Sequence, residues 1–524
     1  MLDPSEPIPL SSRFAKLKRN MIACREKDVA ESFYRLLRAL RREADEIAAR
    51  GSDVIPTIDY FDIHDISKAS AFQNALRKRG VAVIKRVVPL TVAQTWKEET
   101  LEYIAENPHR GHPSSHDNNP QLFDLYWSPS QVRARVDSRL LDAQRFAMRT
   151  WHASDSRSLV SAEYPVVYAD RVRVRTPEDV SPLVGSAHVD NGSVERWEPD
   201  GYGASGTYST VFSGRWEDYD PWDSSPRLHI TTDLYNRSGS CSMFRMFQGF
   251  LSLSALPAGS GALTVCPMLQ LSTAYLLLRP FFTPRYKNPA ASMNDGDMGL
   301  GMGSGSGRRT ELDFLHPNNW NLNVTQTSIL HGAVPGYVQE LSGALHPHLQ
   351  LHRTMVSVPD LEPGDYVIWH PDVVHAVDAA YSYSYSPSSS AFTATILYIP
   401  SCPLTQTNAL YLSRQRRAFL LGLAAPDFAE AGSGAAGERD HAGRAGVQDV
   451  ADAGGEDGLR SMGLAPFEEH ATTGSNRPRR SSNSHSKSAT ESGGEKKDAR
   501  VLRLANEILF PDRFDGVLKK GSRR

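Results

Sequence analysis

The sequence predicts an α+β protein, in which a helical N-terminal region precedes a barrel or sandwich of short strands of the jelly-roll kind. Three observations carry this expectation. Residues 31–49, ESFYRLLRALRREADEIAA, place Phe33, Leu36, Leu37, Leu40, Ala44 and Ile47 on one helical stripe with charges opposite. From about residue 163 the texture changes to short alternating or apolar runs divided by Gly and Pro turns. Prolines fall at the ends of those runs, where a residue without an N–H does not break a ladder.

The elements follow in chain order. FQNALRKRGVAVIKRVVP predicts a helix, a stop at Gly80, and a strand from Val81 to Val88. Residues 129–152 carry a further helical pattern. YPVVYADRVRVRTP alternates as a strand, and SMFRMFQGFLSLS predicts another, followed by the turn PAGSG and ALTVCP. LSTAYLLLRPFF predicts a buried helix ending near Pro280. HLQLHRTMVSVP, GDYVIWHPDVVHAV and AFTATILYIP complete the strand series. The Gly-rich stretch at 285–310 predicts a flexible insertion; it holds no G-x-G-x-x-G after a strand, which excludes a dinucleotide-binding loop. Residues 431–500, rich in Gly, Ala, Ser and charge, are expected to be disordered. The last segment, 501–524, regains apolar periodicity and is expected to dock back as a short helix. The resulting division is a helical region at 1–75, a β-rich domain at 76–430, the linker and the terminal helix.

Bulk properties narrow the function. The chain has 524 residues, with 58 Lys and Arg against 60 Asp and Glu. That balance argues against general affinity for nucleic acid or acidic membranes. The N-terminus has no apolar signal core and no run is long enough for a membrane span. Cys24, Cys241, Cys266 and Cys402 are scattered with no C-x-x-C pair, which points to a reducing compartment, the cytoplasm.

The chemistry is concentrated in VGSAHVDNGSVERWE, where His188 and Asp190 stand two apart at a predicted strand end. Residues i and i+2 of a strand share a side. Alone, His-x-Asp fits an ordinary polar turn more readily than a site. Two imidazoles and one carboxylate on one face, however, hold a divalent iron while leaving positions open for a co-substrate and oxygen. The second imidazole must come from a distant strand, and EPGDYVIWHPDVVHAVD offers His370 and His375. His346, His348 and His352 in HPHLQLH make a rival cluster without a nearby carboxylate, and fit a partly exposed loop and strand better.

These motifs carry a resemblance. RVRV…HVDNGSVERW, FQGFLSLSALPAGSGALTVCP and PGDYVIWHPDVVHAV, in this order, resemble the iron(II)/2-oxoglutarate-dependent dioxygenase superfamily on its double-stranded β-helix (jelly-roll, cupin-like) fold. With YLLLRPFF, HPHLQL and YIPSCP…NALYLSRQRRAFLLG the match narrows to the DUF1479 family. The resemblance covers roughly residues 55–430 and the C-terminal end. It implies that His188, Asp190 and His375 are the metal and catalytic triad, with His370 a non-ligand. It further implies Fe(II), 2-oxoglutarate as co-substrate, molecular oxygen and a small-molecule substrate, hydroxylation being the usual outcome.

One departure bears on the co-substrate. Many relatives bind the far carboxylate of 2-oxoglutarate with an Arg on the strand after the distal His. Here that strand, AFTATILYIP, has Thr393 and Thr395 and no basic residue. Arg245, expected on a barrel strand, and Arg173, between Arg171 and Arg175 on one strand face, are the candidates to replace it, with Thr395 beside them. The arginine stripe equally fits a solvated or salt-bridged face. Glu195 or Arg196 in SVERW could orient the metal loop, and Trp369 and Phe250 fit the core. The alternatives are a cupin-like metal enzyme that does not use 2-oxoglutarate and a non-catalytic binding protein on the same fold.

Overall fold

A computed structural model describes residues 6–107, 122–175, 186–190, 192–237, 240–286, 310–377, 393–429, 437–468 and 489–513. The first long helix, Glu26–Arg50, buries Val29, Phe33, Leu36, Leu37, Leu40, Ala44 and Ile47, the stripe that the sequence periodicity marks out. Each of these side chains larger than Ala44 contributes roughly 1.5–3 kcal/mol by leaving water. The helix begins at Glu26, earlier than expected, with Glu26 and Asp28 in its first turn, where carboxylates meet the positive end of the helix dipole. Helix Ile66–Arg79 ends at Gly80, whose φ of 74° favours glycine. A Cβ there would stand 2.7 Å from Val373 Cγ2, so the turn is also packed tightly against the segment leading to His375.

Strands in chain order are β1 (Thr57–Asp59), β2 (Val81–Lys85), β3 (Leu122–Phe123), β4 (Val160–Val166), β5 (Val172–Arg175) and β6 (Ala187–Val189). Then come β7 (Gln248–Ser252), β8 (Thr264–Cys266), β9 (Phe282–Pro284), β10 (Trp320–Leu322) and β11 (Gln339–Leu341). Last are β12 (Val356–Ser357), β13 (Tyr366–Trp369), β14 (Val374–Ala376), β15 (Ala394–Tyr398) and β16 (Cys402–Thr405). A seven-stranded sheet runs β1-β2-β13-β7-β15-β5-β3, antiparallel except for the β1–β2 pair. A five-stranded antiparallel sheet runs β11-β6-β14-β8-β12. The architecture is therefore mixed α and β with mainly antiparallel sheets. Phe33 and Leu40 of the N-terminal helix share one core with Phe250 of β7, Val265 of β8 and Ile368 of β13. No helix among the described residues is long and apolar enough to cross a membrane.

Several expectations are corrected. The stretch HLQLHRTMVSVP is mostly helical turn, 3-10 at Pro347–Leu349 and α at Leu351–Thr354, with only Val356–Ser357 in a strand. His348 is turned inward among Tyr275, Trp320 and Phe33, so burial of one aromatic cluster overrides the alternating pattern. YPVVYADRVRVRTP breaks into β4, which pairs with β16, and β5, which joins the large sheet. Residues 129–152 form two helices, Pro129–Val136 and Ser138–Met148, because Asp137 caps the second through the amides of Arg139 and Leu140.

The largest correction lies in 431–500. Residues 447–461 form a helix that packs on Pro129–Val136. Its glycines serve that contact: a Cβ on Gly454 would stand 2.5 Å from the Val136 carbonyl oxygen. Glu438 is also buried, accepting the amide of Trp127 at 2.9 Å and the Tyr103 hydroxyl at 2.8 Å. Helix Ala489–Leu509 packs on Gln406–Leu421, burying Val501, Leu502, Ala505 and Leu509. Most of the Gly-rich insertion at 285–310 lies outside the described residues.

Candidate metal centre

The two sheets meet around the His-x-Asp motif. His188 lies in β6, and β14 pairs with it so that His375 is directly opposite His188. Asp190 follows β6 and points to the same side as His188. The imidazole centroids are 4.4 Å apart. Asp190 reaches His188 Nε2 at 3.8 Å and His375 Nε2 at 3.5 Å. One ligand atom from each residue lies within 4.8 Å of the others. The structure thus brings together the three residues singled out from sequence, across 187 positions of chain.

Backbone contacts aim the two rings. His188 Nδ1 donates to the Ser186 carbonyl at 2.8 Å, and His375 Nδ1 donates to the Val373 carbonyl at 2.9 Å. A carbonyl only accepts, so each Nδ1 carries a proton, and a ring that is neutral in this tautomer presents its Nε2 lone pair to the centre. Burial and the neighbouring His375 push His188 below the ordinary imidazole range, which favours the neutral, metal-binding form. Burial works against the Asp190 carboxylate, but the neighbouring His375 and His188 imidazoles and the Arg245 charge outweigh it and keep its pKa well below the usual range. Two neutral imidazoles and one carboxylate are a donor set suited to a divalent transition metal.

Other groups hold the loop. Gln248, at the start of β7, donates from Nε2 to Asp190 Oδ2 at 2.5 Å and so ties the large sheet to the motif. Arg196 donates to the Asp190 carbonyl at 2.7 Å. Glu195 accepts the Ser193 amide at 2.7 Å and the Leu234 amide at 3.3 Å. Both residues of SVERW proposed to orient the loop therefore contact it. Gln248 was not legible as a site residue; its one signal is a polar side chain opening a strand whose centre, Phe250 and Leu251, is apolar. Trp369 stands 5.4 Å from His375 and packs on Phe250 at 6.2 Å.

The candidates for co-substrate binding separate. Directly paired residues of antiparallel strands share a face, and alternate residues do too. Arg173 pairs with Ile396, and Ile396 pairs with Ser252, which lies four residues along β7 from Gln248. Arg173 is therefore on the face that carries Gln248 to Asp190. Thr395 pairs with Val174 and is on the opposite face, fully buried. That corrects its assignment beside the arginines: strand alternation turns it away. Arg245 precedes β7 rather than lying on a strand, although its charge acts on Asp190. Arg175 donates to the Gly261 carbonyl at 2.6 Å, and Arg171 lies 3.6 Å from Asp170 and over the Phe428 ring.

The rival histidines do not form a centre. His346 and His348 are buried, contrary to expectation, and burial and the charge of Arg279 push each down to about 3. His352 is exposed on a separate turn. His370 is also fully buried and makes no approach to the triad through its ring nitrogens, both of which have backbone partners. A cavity of about 270 Å³ lined by Arg38, Arg41, His316 and Arg353 lies away from the triad, against the long N-terminal helix.

Comparison with known proteins agrees with the narrower sequence resemblance. A solved Candida albicans protein, GlcNAc inducible gene 2 (DUF1479), is 27% identical and superposes with a TM-score of 0.76, over 97% of this chain and 96% of its own. The Escherichia coli K12 protein YbiU is 29% identical over 74% of this chain and 82% of its own. A Salmonella typhimurium LT2 structure, provisionally named an oxidoreductase, is 26% identical with a TM-score of 0.66, over 88% of this chain and 98% of its own. The Gig2-like family model matches residues 8–464, and the chain belongs to that family.

Proposed function

We propose that the protein is an iron(II)- and 2-oxoglutarate-dependent oxygenase on a double-stranded β-helix, hydroxylating a small molecule. The observation that carries this reading is the convergence of His188, Asp190 and His375, with both Nδ1 atoms tied to backbone and both Nε2 atoms facing one carboxylate. His188, Asp190 and His375 would hold the iron. Iron(II) with 2-oxoglutarate and oxygen, when bound, supplies oxidative decarboxylation to succinate and carbon dioxide coupled to C–H hydroxylation.

The chain's own part is placement. Gln248 and Arg196 fix the Asp190 carboxylate and its backbone. Trp369 and Phe250 wall one side of His375 with apolar surface, which keeps water from the reacting atoms. No acid–base or nucleophilic residue is required beyond this frame. Four free cysteines, two of them buried, fit a reducing compartment, and we assign the cytoplasm.

The test is an anaerobic titration of the full chain with iron(II) and then 2-oxoglutarate, following the visible metal-to-ligand charge-transfer band. We expect one iron per chain, a band that saturates with 2-oxoglutarate, and loss of iron binding in His188→Ala. Bound iron with no band would favour the second reading, a cupin-like metal enzyme without 2-oxoglutarate, which the lack of a basic residue on β15 supports. A chain that binds no metal would overturn both and leave a non-catalytic binding protein.

A further inference from the structure

We infer that Arg173 is the residue that receives the distal carboxylate of 2-oxoglutarate, from β5 rather than from the strand that follows the distal histidine. The inference rests on the oxygenase reading of the triad. Arg173 is nine-tenths buried, its Nε has no hydrogen-bond partner, and among the described residues its guanidinium forms no ion pair. A buried guanidinium without an anion is costly, so the fold must supply a reason to keep one there. A bound carboxylate is such a reason, because the planar fork of an arginine takes a carboxylate through two parallel hydrogen bonds.

Position points the same way. Arg173 shares its sheet face with Ser252, Phe250 and Gln248, and Gln248 carries the face to Asp190. On β15 the residue opposite Arg173 is Ile396, so the cation is displaced by one strand from β15. Other polar atoms on this face are also unsatisfied: Gln248 Oε1 and Trp369 Nε1 are buried without partners. Trp369 pairs with Gln248 and stands beside His375. An anionic ligand reaching from the triad toward β5 would meet these groups along one wall. The neighbouring arginines are engaged elsewhere, Arg175 with the Gly261 carbonyl and Arg171 with Asp170.

The experiment uses the full-length iron(II) protein without oxygen and compares wild type, Arg173→Gln and Arg173→Lys. The probes are 2-oxoglutarate and pyruvate, a 2-oxo acid that lacks the distal carboxylate. Each is titrated by the charge-transfer band, with iron stoichiometry measured first as the check on fold and triad. We expect Arg173→Gln to bind iron as wild type does and to bind 2-oxoglutarate about 30-fold or more weakly. Pyruvate affinity should stay near that of wild type, so that preference for the dicarboxylate collapses, and Arg173→Lys should recover part of it. Unchanged 2-oxoglutarate affinity in Arg173→Gln, or equal loss for both acids, would overturn the assignment while leaving the oxygenase reading intact. A wild-type protein that holds iron but gives no band with 2-oxoglutarate would overturn that reading and this assignment with it.

Discussion

The chain contains His-x-Asp twice, at His188–Asp190 and at His370–Asp372, and the two copies have opposite fates. In the first, both imidazole Nε2 atoms of the triad face a carboxylate that Gln248 only partly occupies. In the second, His370 is saturated: Nε2 donates to the Pro221 carbonyl at 3.0 Å and Nδ1 accepts the Asp372 amide at 3.0 Å. Its ring stacks on Trp151 at 4.7 Å and is pushed down to about 3 by burial. Asp372 is closed in by Arg227 at 2.7 Å, Arg196 at 3.5 Å and the hydroxyls of Tyr208 and Tyr219. A motif of two residue types therefore specifies no chemistry. Free ligand atoms do, and a site is the place where the fold leaves them free. Arg196 joins the two regions, since it contacts Asp372 and the Asp190 carbonyl together.

The largest effect should come from breaking the saturated copy. Asp372→Asn leaves two buried guanidinium groups without their anion and should cost about 3–5 kcal/mol of folding stability, read by urea denaturation. Asp190→Asn, in the open copy, should cost far less stability while weakening iron binding. Equal stability losses in the two variants would erase the distinction between the regions.

Acid should act next, and on the saturated copy. His370 has a folded pKa of about 3, against roughly 6.5 for an unperturbed imidazole. Its contribution to stability is complete above the unfolded value and is lost as pH falls from about 6.5 toward 3, because the unfolded chain then binds the extra proton. His346 and His348, also at about 3, act in the same direction. His370→Gln should flatten, without abolishing, the slope of unfolding free energy between pH 6.5 and 4. An unchanged slope would mean that His370 charges without cost.

A smaller effect should sharpen the open copy. Gln248→Ala removes the donor that orients Asp190 and should weaken iron(II) affinity by about 10–100-fold, measured by anaerobic competition with a chelator. Affinity within a factor of two of wild type would remove Gln248 from the site. The smallest effect belongs to Thr395→Val. Its hydroxyl is buried without a partner on the far face, so a near-isosteric apolar replacement should change stability by less than about 1 kcal/mol. 2-Oxoglutarate affinity should not move. A clear loss of it would put Thr395 back in the pocket.

Local periodicity is what the sequence made legible. The stripe from Phe33 to Ile47 and the stop at Gly80 follow from side-chain spacing and backbone freedom, which act over a few residues. The same locality misread the C-terminal region, because Gly454 and Gly458 look like flexibility and are instead the close approach of a helix to Val136. The three ligand positions were reached through motif order, and the pairing of β6 with β14 is what seats them together.

By itself the sequence determined which residue types were on hand: two imidazoles, a carboxylate and several arginines near strand ends. Only the tertiary structure decided which of them are spent. Sheet register turned Arg173 toward Gln248 and Thr395 away, and packing gave Asp372 its two arginines while turning the Nε2 atoms of His188 and His375 toward Asp190. The physical reason is that hydrogen-bond saturation and burial depend on neighbours far along the chain, and no window of adjacent residues contains them.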